Sequence, residues 1–287
     1  MKHLLATLLA TLAVGIAASA VSAHVHGTAA AAPKRIISLS PTATETLFAI
    51  GAGKQVIAVD DQSDYPKSAP KTSLSGFTPN VEAVVAYRPD LVVISYSPKD
   101  FAGALAKAHI RVLLQEPANT FKDAYAQMTQ LGRITGHLTE ATALVSRMKA
   151  RIAKLVKAAP KKALSVYDEL SPDYYSATSA SIIGQVFKLF GLKNIADAAP
   201  GAGSVGAVQL SAEYIVSSSP DLIVLADTRC CGQSRSKVSQ RAGWGTVAAV
   251  KTGAIAVIDD SIASRWGPRL VNFVNAVASA LKTTADK

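Results

Sequence analysis

The stretch Glu82-Ala-Val-Val-Ala-Tyr-Arg-Pro-Asp-Leu-Val-Val-Ile94 returns later in the chain as Glu213-Tyr-Ile-Val-Ser-Ser-Ser-Pro-Asp-Leu-Ile-Val-Leu225. In each copy a glutamate opens a short helix, Pro-Asp stops it, and an uninterrupted apolar strand follows. Proline lacks an N–H and pushes the preceding residue out of the helical region, so the helix ends there. An internal repeat of this kind means two halves of similar construction.

Outward from the first copy, apolar β-rich runs at 35–39, 55–59, 91–95 and 110–114 read as strands, with helices over 42–50 and 81–87. Around the second copy, strands are expected at 163–167, 222–226 and 254–258, and helices at 182–190, 212–217 and 270–281. Strands that are apolar throughout and alternate with helices belong to parallel sheets covered on both faces. Between the two series, Leu144, Val145, Met148, Ile152, Leu155 and Val156 recur at helical spacing, with Arg147, Lys149, Arg151, Lys154 and Lys157 largely off the stripe. Thr139 reads as the N-cap and Pro160 as the stop of one long helix joining the halves. The expected fold is α/β, two Rossmann-like lobes with parallel sheets joined by one long helix, with a ligand cleft between them. The lobes span 34–137 and 161–287, with the linker at 138–160.

The chain has 287 residues, 49% hydrophobic and 17% charged, which excludes intrinsic disorder. It opens Met1-Lys2-His3, continues uncharged through 4–20 and reaches Val21-Ser22-Ala23. A cationic start, an apolar run and a small-residue ending predict a secretory signal over 1–23 with a mobile leader over 24–33. A retained anchor is the alternative, since the run approaches the length that spans a bilayer. No cysteine lies near the cut, so the expected location is the periplasm or cell surface, exported and not as a lipoprotein. The net charge of +10 is spread along the chain and no nucleic-acid motif accompanies it, so it reads as a solvated basic surface. Cys230 and Cys231 are adjacent. A vicinal disulfide, two free thiols and an intermolecular bridge are all open, and a metal site is not expected.

In open α/β sheets ligands bind beyond the carboxyl ends of the strands. Those ends carry Ser40, Asp60-Asp61, Ser95-Tyr96 and Gln115-Glu116 in the first half. The second half offers Tyr167-Asp168, Asp227 with Cys230-Cys231, and Asp259-Asp260. Taken singly, Asp60 and Asp259 read as turn caps. Gly201-Ala-Gly-Ser-Val-Gly206 matches a dinucleotide fingerprint in letters only, because no strand precedes it, and reads as a loop. Thr42-Ala-Thr-Glu45 reads as a capping box. His109 and His137 read as structural, and no nucleophile or acid–base constellation stands out. The pattern is that of a binder and not an enzyme.

Arg35-Ile-Ile-Ser-Leu-Ser-Pro with Thr44-Glu45, then Gly51-Ala-Gly53, Ser63-Asp64-Tyr65-Pro66 and the paired Glu…Pro-Asp-Leu segments resemble one family across nearly all the chain beyond the signal. It is the helical-backbone substrate-binding proteins of ABC importers for cobalamin, ferric siderophores and haem, the cobalamin binders above all. The resemblance implies two lobes bridged by a rigid helix, with little hinge motion. It also implies that Glu82 and Glu213 dock on the permease/ATPase complex. Phe77, Tyr96 and the facing Tyr174-Tyr175 would contact the ligand, with Ser261 and Arg265 in the cleft and Trp266 stacked beside Arg265. Gln62 and Ser261 depart from the cobalamin pattern, and Cys230-Cys231 has no counterpart there. The implied function is an extracytoplasmic receptor, a monomer without cofactor, that carries cobalamin or a related corrinoid as its transported ligand. A ferric siderophore is the runner-up. Haem ranks behind it, since Phe77 has no oxygen for iron. A secreted chelatase-like enzyme or an envelope sensor are the readings from other classes.

Overall fold

The structure, a computed structural model, describes residues 31–98, 100–202 and 206–283. The predicted signal over 1–23, most of the leader and residues 203–205 of the glycine loop lie outside the described residues. The described residues from 32 onward pack as one unit. The first lobe runs β1 (Ile36–Leu39), α1 (Pro41–Ala49), β2 (Val56–Val59), α2 (Val81–Ala86), β3 (Leu91–Ile94), α3 (Phe101–Lys107), β4 (Arg111–Leu114) and α4 (Phe121–Thr135). Helix α5 (Leu138–Ala158) leads to the second lobe, which begins β5 (Ser165–Glu169), β6 (Tyr175–Ala177), α6 (Ile182–Leu189), β7 (Lys193–Asn194), β8 (Ala207–Gln209) and α7 (Ala212–Ser218). It continues through β9 (Leu222–Leu225), α8 (Thr228–Cys231), α9 (Arg235–Ser239), α10 (Ala248–Thr252), β10 (Ile255–Val257), α11 (Asp260–Ala263) and α12 (Leu270–Thr283).

Each lobe holds a four-stranded parallel sheet, ordered β2-β1-β3-β4 and β10-β9-β5-β7, and β6 pairs with β8 in a small antiparallel ribbon. The α/β two-sheet expectation is met. Strands β3 and β9, the apolar halves of the repeat, are buried at every position. In both copies the aspartate after the proline ties its strand to the neighbouring one. Asp90 accepts the N–H groups of Lys34 and Arg35, and Asp221 accepts Ser165 N–H and Oγ–H at 2.8 Å.

Helix α5 belongs to both cores. Ala141 packs with Ile36, Leu47 and Leu131 of the first lobe, while Val145, Met148 and Ile152 pack with Val186, Phe187 and Val274 of the second. Burying side chains of this size stabilises by roughly 1.5–3 kcal/mol each. Close approach of α4 to α5 depends on Gly132, where a Cβ would collide with Ala141 and sit 2.9 Å from the His137 carbonyl oxygen.

Two cap assignments differ from expectation. Pro41 takes the first turn of α1, so Ser40 is the N-cap and accepts Ala43 N–H at 3.3 Å. The Thr42–Glu45 pair is therefore not a capping box. Helix α5 starts directly after the Gly136 C-cap of α4, which puts His137, not Thr139, at its N-cap. Helix α4 was not foreseen, although Thr120 and Asp123 form a complete capping box ahead of it.

Candidate functional site

Strand order reverses between β1 and β3 in one lobe and between β5 and β9 in the other, and such switch points open a crevice beyond the carboxyl ends. The loop after β2 is built tightly against that end. Asp60 donates its N–H to the Ser38 carbonyl oxygen at 3.1 Å, and its side chain is buried. A Cβ at Gly76 would lie 2.7 Å from both Asp60 Oδ2 and the Leu39 carbonyl oxygen, so only glycine lets the Phe77 loop approach. Burial pushes the Asp60 carboxyl up to about 6, against the lowering bonds from Ser63. The Thr44 hydroxyl lies between Ser38 Oγ at 2.8 Å and Ser63 Oγ at 2.9 Å. Together these contacts fix the segment that presents Asp64.

Asp64 and Glu45 receive the cations of the second lobe. Arg265 donates to Glu45 Oε1 at 3.0 Å, Asp64 Oδ1 at 2.8 Å and the Gln62 carbonyl oxygen at 2.8 Å. Arg269 donates to both oxygens of Glu45, through Nε at 2.9 Å, and its guanidinium lies 4.5 Å from the Tyr65 ring centroid. Arg229 reaches Asp64 Oδ2 at 3.2 Å. Burial pulls the Asp64 carboxyl up, but Arg265 and Arg229 outweigh it and hold it below the usual range. Arg265 is thus 9% exposed and committed to the first lobe. Trp266 donates its indole N–H to Gln127 Oε1 on α4 at 2.7 Å.

A cavity of about 490 Å³ lies between the lobes. Pro117, Ala118 and Asn119 form its first-lobe side; Leu170, Ile182, Ala226, Cys230 and Trp266 are among its second-lobe walls. Leu170 and Ala226 directly follow β5 and β9, as the switch-point rule requires. Of the ligand-contact residues read from the sequence, Trp266 lines this cavity. Phe77 (73% exposed), Tyr96 (55%) and Tyr175 (45%) stand on loops or strand ends beyond the sheets. Tyr174 instead turns inward, stacked on Trp244 with ring centroids 6.0 Å apart and with Arg241 5.3 Å away. Ser261 donates Oγ–H to Asp259 Oδ1 at 2.6 Å, and Asp259 N-caps α11, which matches its reading as a cap. Cys230 and Cys231 form a vicinal disulfide. The apolar walls Leu170, Ile182 and Ala226 escaped sequence reading, because an apolar residue at a strand end or a helix start carries no signal of its own.

Beneath the second-lobe wall three acids sit at adjacent strand ends. Glu169 is buried and paired with Arg241 at 2.6 Å, and Tyr167 donates to it at 3.1 Å. Burial, with the Asp227 and Glu169 charges, pushes the Asp168 carboxyl up to about 8. Burial and the Glu169 charge likewise raise Asp227. Among the described residues no group of three or more His, Cys, Asp or Glu is arranged to hold a metal ion.

Glu82 and Glu213 hold the same position, second residue of α2 and α7, after Asn80 and Ser211 caps whose side chains accept Ala83 and Tyr214 N–H. Both carboxylates are exposed. Hydrogen bonds from its own N–H and from Ser211 hold Glu213 below the usual range.

Two parallel-sheet lobes, a helix shared by both cores and a cavity between them define a two-lobed ligand-binding protein. The Periplasmic binding protein family model matches residues 36–262, and the chain belongs to that family of ligand-binding components of transport. A Bacillus subtilis (strain 168) protein named as an uncharacterized ABC transporter substrate-binding lipoprotein, YvrC, is 31% identical over 260 residues, 87% of this chain and 80% of its own. A cobalamin-binding protein of Halobacterium salinarum (strain ATCC 29341 / DSM 671 / R1) is 29% identical over 262 residues, 88% of this chain and 70% of its own. A solved structure from Staphylococcus epidermidis ATCC 12228, described as a possible iron-binding (periplasmic solute-binding) protein, superposes with TM-score 0.73 at 26% identity, covering 87% of this chain and 99% of its own. Haem-binding structures match as well, at 20% identity or below, where the likeness carries the fold alone.

The location expected from the sequence needs one correction. The B. subtilis relative is named a lipoprotein, and that name overturns the reading of an exported protein that is not a lipoprotein.

Proposed function

We propose that this substrate-binding protein captures a corrinoid of the cobalamin type between its lobes and hands it to an ABC permease. The observation that carries the reading is the interlobe cavity of about 490 Å³, walled by Leu170, Ile182, Ala226 and Trp266. Such pockets bind through apolar area and orient the ligand with a few polar groups. Exposed Phe77, Tyr96 and Tyr175 supply further ring surface for a ligand too large for the cavity alone. The name of the H. salinarum relative supports the same ligand class. Glu82 and Glu213, one per lobe at matching helix starts, are the anionic points that meet basic residues of the permease. No bond is made or broken in this cycle, and cobalamin is cargo, not a cofactor. Because α5 is built into both cores, closure on binding is small.

A ferric siderophore is the second reading, favoured by the description of the S. epidermidis structure. Arg265 weakens it here: its donors already serve Glu45, Asp64 and Gln62, which leaves it little capacity for an anionic chelate. Calorimetric titration with cyanocobalamin and with a ferric trihydroxamate in parallel tests the choice. One-to-one binding of the corrinoid alone supports the proposal, and binding of the hydroxamate alone replaces it.

A further inference from the structure

We propose that the Cys230–Cys231 disulfide is a redox-controlled wall of the interlobe cavity, retaining ligand when intact and weakening its hold when reduced. This rests on the cavity being the ligand site, as proposed above. Cys230 lines the cavity beside Asp260, Ser264 and Trp266. The disulfide closes the four-residue helix α8, which buries none of its residues. Its backbone hangs instead on one carboxylate: Asp260 accepts Thr228 N–H at 2.8 Å, Arg229 N–H at 2.9 Å and Cys230 N–H at 2.7 Å. Beyond that carboxylate, the Thr228 hydroxyl donates to the Ile258 carbonyl oxygen at 3.1 Å, which pins the first residue of the turn and leaves the disulfide ring to shape its far end. The same segment carries Arg229, which crosses to Asp64 on the first lobe and also lies 3.4 Å from Asp259. Exposed pairs of this kind hold weakly on their own, so the order of the backbone beneath Arg229 matters to the bridge.

An oxidising compartment maintains such a disulfide. The reductant would be a dithiol. One of its thiolates attacks one cysteine sulfur, the S–S bond breaks and the other cysteine leaves as a thiolate that takes a proton. The second thiol of the donor then resolves the mixed disulfide. Two electrons and two protons pass to the protein, and the donor becomes a cyclic disulfide. A ring-locked wall at Cys230 is thereby replaced by two separate, freely rotating thiols on a loosened turn.

The test compares the wild-type protein with Cys230→Ser/Cys231→Ser and with wild type reduced on a resin-bound dithiol. Thiol titration is expected to find no reactive thiol before reduction and two after. Calorimetry with cyanocobalamin and a ferric trihydroxamate is expected to show about three- to tenfold weaker binding in both altered forms for whichever probe wild type binds. Equal affinity in all three overturns the proposal. If wild type binds neither probe, the ligand reading fails, and amide hydrogen exchange decides the wall. Faster exchange across 228–231 and 62–65 in the serine variant sustains it, and unchanged exchange overturns it.

Discussion

Arg265 and Glu45 meet at 3.0 Å across the two lobes, although they stand 220 residues apart in the chain. Glu45 also receives Arg269, and its side chain is almost fully buried. A buried carboxylate serving two guanidiniums is costly to remove, because the arginines then keep their charge without a partner. Glu45→Ala is expected to destabilise the fold by about 3 kcal/mol, read from urea unfolding. A loss within 0.5 kcal/mol would mean that the bridge does not hold the lobes together.

Stability is expected to fall as pH rises from about 4 to about 8. Asp168 titrates near 3.8 when exposed and is pushed up to about 8 in the fold by burial and by the Asp227 and Glu169 charges, against a hydrogen bond at the Ala177 backbone. Within that window the folded state holds the extra proton, so deprotonation at higher pH favours unfolding, and the loss is complete above the folded value. Asp60 adds in the same direction up to about 6. Asp168→Asn should flatten the slope by an amount of order 1 kcal/mol per pH unit. An unchanged slope in thermal melts over pH 5–8 would contradict the assignment.

The sequence carried the fold further than it carried the site. The repeat placed β3 and β9 correctly because a proline stop and an all-apolar run are local signals. Helix α4 is signalled locally too, through the Thr120–Asp123 box and Gly136. Glu45 was not legible. Its partners Arg265 and Arg269 come from the far end of the chain, and its local spacing imitated a cap. Tyr174 shows the same limit: its neighbour Tyr175 is exposed, and only the packing on Trp244 distinguishes them.

Phe77 is the most exposed large apolar side chain described. Phe77→Ala is expected to leave unfolding free energy within about 0.5 kcal/mol, as for other surface changes. Corrinoid affinity should fall about tenfold, the loss of one aromatic contact. A stability loss without an affinity loss would make Phe77 a packing residue.

Glu82→Ala with Glu213→Ala should abolish uptake in cells while leaving ligand affinity intact, since both carboxylates are exposed at helix starts. Unimpaired uptake would remove them from the permease contact. A parallel drop in affinity would place them at the ligand instead.

Calorimetric titration of the protein with cyanocobalamin reads corrinoid capture itself. Saturable one-to-one binding that weakens in Phe77→Ala is expected. Absence of heat with cyanocobalamin, beside clear binding of a ferric trihydroxamate, would contradict the corrinoid assignment and keep the fold and the transport role.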